Sequence, residues 1–150
     1  MRLAQLFEND AEHGEALKKT GFWGKRGAGC LFYAKNTKRY LIAHRSDEVE
    51  QPGTWGTWGG AIDSGESPEV AVRREAREEA GYKGKVELVP LWVFKHKSGF
   101  QYHNFLAVVE DEFEPKLNWE SQGYEWVKGG AWPSPLHPGM IELLDHEDLT

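Results

Sequence analysis

The segment GAIDSGESPEVAVRREAREEAGY, residues 60–82, decides how this chain is read. Ser67 is suited to cap a helix, Pro68 to open it and Glu69 to meet its positive end. Gly81 suits its stop. The pattern predicts a helix over residues 68–80. Glu75, Glu78 and Glu79 stand there at i, i+3 and i+4, so at roughly 100° per residue they share one face. Val72, Ala76 and Ala80 form the adjacent small apolar stripe, which puts Glu79 at the border of the packing face. Like charges one turn apart repel, and the cost grows near a packed surface. Arg73 and Arg77 point largely away, so Arg74 and a bound cation are left to offset it. Mg²⁺, which takes a few carboxylates together with waters and phosphate oxygens, suits such a face. From the helix alone, a merely solvated charged surface is the competing reading.

Working outward, apolar runs at residues 30–34 and 40–44 flank Asn36, Thr37 and Lys38, a strand–turn–strand pattern. The Gly/Trp segment 53–67 leaves room for one short strand. After the helix, residues 86–94 and 102–109 read as strands, 111–122 as a polar loop and 124–127 as a last short strand. Pro133, Pro135 and Pro138 make a rigid connection, and a terminal helix begins near Met140. Residues 1–24 read as an N-terminal extension with a short helix over about 10–19, and Gly21, Gly24, Gly27 and Gly29 as breakers before the body. The expected architecture is α/β, a mixed sheet between helices in one domain spanning 1–150.

Composition bounds the function. A net charge of −6 disfavours sequence-independent binding to long nucleic acid, whereas a small phosphorylated ligand is compatible if metal ions supply positive charge. Cys30, the one cysteine, sits in an apolar run and reads as a core thiol. No apolar run reaches the roughly 18 residues of a membrane span, and the polar N-terminus is unlike a signal peptide. A cytoplasmic setting is the expectation, and a homodimer is compatible with it.

Residues 60–82 resemble the Nudix box, the signature of the Nudix hydrolase (MutT-like) family. Gly60, Glu66, Arg74, Glu75, Glu78, Glu79 and Gly81 occupy its fixed positions, with Ala76 and Tyr82 at its apolar ones. The resemblance implies an α/β/α sandwich with the box as a loop–helix–loop. It implies that Glu75, Glu78 and Glu79 ligate Mg²⁺ or Mn²⁺, that Arg74 orients Glu75, and that Glu66 braces the loop. It also implies the Gly59 carbonyl as a ligand. Trp58 departs from the family, which often has proline there. Arg45, Trp55 and the run Glu125-Trp126-Val127 agree more weakly with common family features.

The implied chemistry is metal-dependent hydrolysis of a pyrophosphate bond in a small nucleotide, with a metal-activated water attacking phosphorus. The general base varies within the family. Glu120 is the first choice as base or fourth ligand, with Glu112 and Glu114 as rivals. Arg45 is a candidate phosphate contact, and Phe32, Phe100, Tyr102 and Trp126 are candidates for base stacking, each with a core role as its alternative. The histidines show no metal-ligand spacing. Dinucleoside polyphosphates, ADP-ribose and other nucleoside-diphosphate sugars, and (d)NTPs including oxidised ones remain open as substrates. A catalytically inactive nucleotide-binding or interaction module is one alternative. An RNA 5′-end pyrophosphohydrolase is the other, kept by the local basic patch Lys35, Lys38, Arg39 and Arg45.

Overall fold

The computed structural model describes residues 26–150. The extension over 1–24 and its helix lie outside the described residues. Strands β1 (Arg26–Ala34), β2 (Arg39–Arg45), β3 (Trp55–Gly56) and β4 (Trp58–Ala61) precede helix α1 (Pro68–Ala80). Strands β5 (Glu87–Lys95), β6 (Gln101–Val109) and β7 (Ser121–Lys128) follow, and helix α2 (Pro138–His146) comes after them. The sheet runs β3-β2-β1-β6-β5, with β4 added to β1 and β7 to β2. Its β1–β6 pair is parallel and the other named pairs are antiparallel, so the sheet is mixed.

Strand β1 explains the layering. Its residues alternate between faces. Ala28, Cys30, Phe32 and Ala34 join Ala71, Val72, Ala76 and Ala80 of α1 in one core. Leu31 joins Met140 and Leu143 of α2 in a second core on the opposite face. A strand covered on both sides needs a near-continuous apolar run, and β1 is buried without a break from Gly27 to Phe32. The result is the α/β/α sandwich expected from the sequence.

Helix α1 occupies the range the sequence predicts, because its ends are chemically marked. The Ser67 hydroxyl accepts from Val70 N–H at 3.2 Å, and Gly81 closes the helix in the left-handed region at φ 67°. Strand ends were less legible. Strand β1 starts at Arg26 rather than at residue 30, so Gly27 and Gly29 lie inside a strand and do not break it. The reason is the ring of Tyr102 on neighbouring β6. A Cβ on Gly27 would come within 2.6 Å of that ring, and one on Gly29 would meet its hydroxyl. Strand β7 likewise starts at Ser121, before the expected residue 124, because residues 121–128 pair with the whole of β2 across a bulge at His44/Arg45. The Gly/Trp segment holds two short strands, not one.

Trp58, the departure from the family pattern, is a core residue. It is buried, meets Phe32 edge-on, and donates its indole N–H to Leu41 O at 3.2 Å. It anchors β4, and with it Gly59-Gly60, beside α1.

Candidate active site

Arg74 organises the box. Its guanidinium donates to both carboxylate oxygens of Glu66, at 2.9 and 3.0 Å. It also donates to Glu75 at 2.9 Å, to Glu78 at 3.1 Å and to the Ala61 carbonyl at 2.9 Å. Glu66 in turn accepts from Asp63 N–H at 2.8 Å, tying the loop before α1 to the middle of the helix. The Arg74 bond holds the Glu66 carboxyl below the usual carboxylate range, and Glu66 chiefly raises the guanidinium's pKa in return. Such charge-assisted bonds carry direction as well as energy.

Glu75 and Glu79 point into the protein. They are 8% and 7% exposed, figures typical of core residues and not of carboxylates. Burial pushes the Glu75 carboxyl up to about 7, against the opposing pull of Arg74. Burial raises the Glu79 carboxyl well above its ordinary range, helped by a hydrogen bond that it shares with the carboxyl of Glu120 and opposed by one accepted from Gly59 N–H. Two carboxyls in one hydrogen bond need a proton between them. The other oxygen of Glu79, Oε2, is buried without any partner. Gly60 makes room for this cluster, since a Cβ there would lie 2.8 Å from Glu75 Oε1.

The structure thus brings Glu75, Glu79, Glu120, Gly59 and Gly60 together and braces them through Arg74 and Glu66. Glu78 stands apart. Its side chain is 55% exposed and leans on Arg74, which also holds Glu75. Among the described residues, no three His, Cys, Asp or Glu side chains converge closely enough to hold a metal ion. The donor set nevertheless suits a hard cation. It consists of carboxylate oxygens, one of them buried and unbonded, at a point where negative charge is otherwise penalised.

Glu112 is committed to Arg39 through two bonds of 2.6 and 2.8 Å, and Glu114 is exposed in the loop. Glu120 is held differently. Ser46 donates its N–H to the Glu120 carbonyl at 3.0 Å and its hydroxyl to that of Trp119 at 2.8 Å, fixing the loop. Of the basic patch, Arg39 is bonded to Glu112 and Lys35 pairs with Glu110 at the surface.

A cleft opens beside Gly59, lined by Arg45, Thr57, Tyr102, Asn104 and His137 among others. Arg45 lines this cleft while its Nε donates to the Glu50 carbonyl at 2.7 Å. The aromatic expectations need correction. Phe32 is fully buried against Tyr82 and Phe113, and Phe100 is 1% exposed, so neither offers a face to a base. Trp126 packs on the α1-side core, edge-on to Phe113, with its indole N–H on the Phe113 carbonyl. Tyr102 lines the cleft, yet its ring lies against Gly27 and Gly29, and it is 4% exposed. It forms wall, not platform.

Two cleft residues escaped the sequence reading. His137 caps α2, its Nδ1 accepting from Gly139 N–H at 2.9 Å, and burial with nearby Arg45 lowers its pKa to about 3. A histidine directly before Pro138 was the available signal. Asn104 sits mid-strand, where nothing local marks it.

The NUDIX domain family model matches residues 24–146. The chain belongs to the Nudix family. A Mycobacterium tuberculosis Nudix relative, provisionally named 8-oxo-dGTP diphosphatase 3, is 35% identical over 130 residues, covering 79% of this chain and 60% of that protein. The chain therefore spans well under two thirds of that relative's length. An Escherichia coli protein named nucleoside triphosphatase NudI is 31% identical over 107 residues, covering 63% of this chain and 76% of that one. Among solved structures, the Nudix hydrolase RenU from M. smegmatis superposes with a TM-score of 0.63 at 29% identity, covering 79% of this chain and 78% of that one. The Nudix fold thus accounts for the sandwich and for the place of the box within it.

Proposed function

We propose that this Nudix chain is a Mg²⁺- or Mn²⁺-dependent hydrolase that cleaves the pyrophosphate bond of small nucleotides. The observation that carries this reading is the buried pair Glu75 and Glu79 beside the cleft, met by half-buried Glu120, with Glu79 Oε2 left without a partner. Buried carboxylates of this kind are costly unless a cation pairs with them. Bound cations supply charge neutralisation at the phosphate oxygens and a water of lowered pKa.

Glu75, Glu78, Glu79 and the Gly59 carbonyl are the residues that would hold them, with Glu120 as a further ligand or as the base. As base, a Glu120 carboxylate oxygen takes the proton of the attacking water. Arg74 keeps the Glu75 carboxylate turned toward Gly60, and Glu66 keeps Arg74 in place. Arg45 binds a phosphate oxygen from the cleft side.

Nucleoside triphosphates and their deoxy and oxidised forms come first as substrates, following the names of the two sequence relatives. Dinucleoside polyphosphates, ADP-ribose and other nucleoside-diphosphate sugars come after. A panel of these compounds, with products separated chromatographically in Mg²⁺ and again in excess EDTA, tests the reading. Cleavage of a pyrophosphate link in Mg²⁺ and none in EDTA is expected. Binding without turnover across the panel would leave an inactive nucleotide-binding module.

A further inference from the structure

The inner end of the cleft carries a hydrogen-bond acceptor held in one orientation. Asn104 is 5% exposed and lines the cleft from β6. Its Nδ2 donates to the carbonyl of Trp92 at 3.0 Å, where β5 breaks register between Pro90 and Val93. That carbonyl can only accept, so the amide nitrogen must face it and Oδ1 must face away. No described residue donates to Oδ1, yet this oxygen is not among the buried atoms sealed off without a partner. It therefore meets the cleft. Rotating the carboxamide would set oxygen against oxygen at Trp92, so the side chain cannot adapt to a ligand that also presents an acceptor. The whole cleft is small, about 30 Å³, so it admits a substituent and not an entire base.

We propose that Asn104 is a specificity-determining residue whose Oδ1 accepts a hydrogen bond from the exocyclic amino group of the substrate's nucleobase. The inference rests on the hydrolase reading above and adds to it a class of substrate, amino-bearing bases over their oxo counterparts. Gly59 lines the same cleft and donates its N–H to Glu79, so a base held at Asn104 leaves its phosphates next to the carboxylates. An oxo group in the same place would face a fixed acceptor and lose its water, whereas an amino group gains a bond. Sites built to hydrogen-bond a group discriminate against analogues that cannot make the bond.

The test compares ATP with ITP and CTP with UTP, amino against oxo, and GTP with ITP, amino against hydrogen at C2. The unsubstituted protein should prefer the amino-bearing member of at least one pair by about tenfold in kcat/KM, chiefly through KM. Asn104→Leu should bring that preference to within about twofold, the loss falling on the amino-bearing member. Asn104→Ala, which adds no bulk, replaces the leucine variant if leucine is not accommodated. Equilibrium titration of tryptophan fluorescence with the same nucleotides reads base preference whether or not they are cleaved. Preference without turnover sinks the hydrolase reading and leaves this one standing. Equal treatment of all three pairs by the unsubstituted protein, or a preference that survives removal of the Asn104 side chain, overturns the inference.

Discussion

At the scale of single residues, the site depends on what small groups leave open and what charged groups hold. Gly60 faces Glu75 so closely that a methyl would land on the carboxylate. Gly60→Ala should lower kcat by at least about tenfold, since sub-ångström misplacement at a reacting centre is expensive. Overpacking should also cost stability by about 1–3 kcal/mol. Steady-state kinetics and a denaturant titration on the same variant read both effects, and an alanine variant at full rate would show that the Glu75 position is immaterial. His137 makes a separate prediction about pH. Its pKa is about 3 when folded, against about 6.5 when free. Between those values the unfolded chain carries a proton that the folded one lacks, so this group's contribution to stability falls as pH drops from 6.5 toward 3. Glu75 acts in the opposite sense. Its raised pKa gives the folded chain the extra proton between its ordinary value and about 7, so stability falls as pH rises through that window. Subtracting the profile of His137→Asn, whose side chain can still cap α2, isolates the histidine. Identical slopes for the two proteins between pH 4 and 6 would place a charged His137 in the fold.

At the scale of elements, α1 was the most legible part of the chain. Ser67, Pro68 and Gly81 are local signals, and local signals can be read without knowing the rest of the fold. Ser67→Ala removes the bond to Val70 N–H, which should destabilise the protein by about 1 kcal/mol. For a domain of this size, that lowers Tm by roughly 2–4 °C. The carboxylates lie two turns onward, so KM and kcat should barely change. Thermal melts beside kinetics check the pair, and a large kcat loss would mean that the helix start positions the site. Strand β1 was less legible. Gly27 and Gly29 read as breakers because the Tyr102 ring that requires them arrives from β6, more than seventy residues later in the chain. Asn104 was hidden for the same reason, its partner Trp92 being fixed only by a bulge in the neighbouring strand. The aromatic candidates failed because periodicity shows that a ring is wanted in a strand but not whether its outer face stays open. Phe32 sits on β1 between two cores, and that burial follows from sheet order.

At the scale of the whole molecule, a two-sided sandwich places one charged helix so that two of its glutamates point inward. Solvation explains neither of them, and Arg74 is occupied with Glu66 and Glu78 as well as Glu75. The sequence placed Glu79 at the border of the packing face; folding put it inside, with Glu120 brought from the β6–β7 loop to meet it. A cation that replaces the shared proton and engages Glu79 Oε2 should stabilise the folded chain, with the logarithm of its concentration once that exceeds Kd. The direct test is binding of Mn²⁺ by isothermal calorimetry to the unsubstituted protein and to Glu79→Gln, with circular dichroism to verify that both are folded. The account predicts saturable binding to the first and at least about tenfold weaker binding to the second. Equal affinity in both, with the glutamine variant folded, would contradict it.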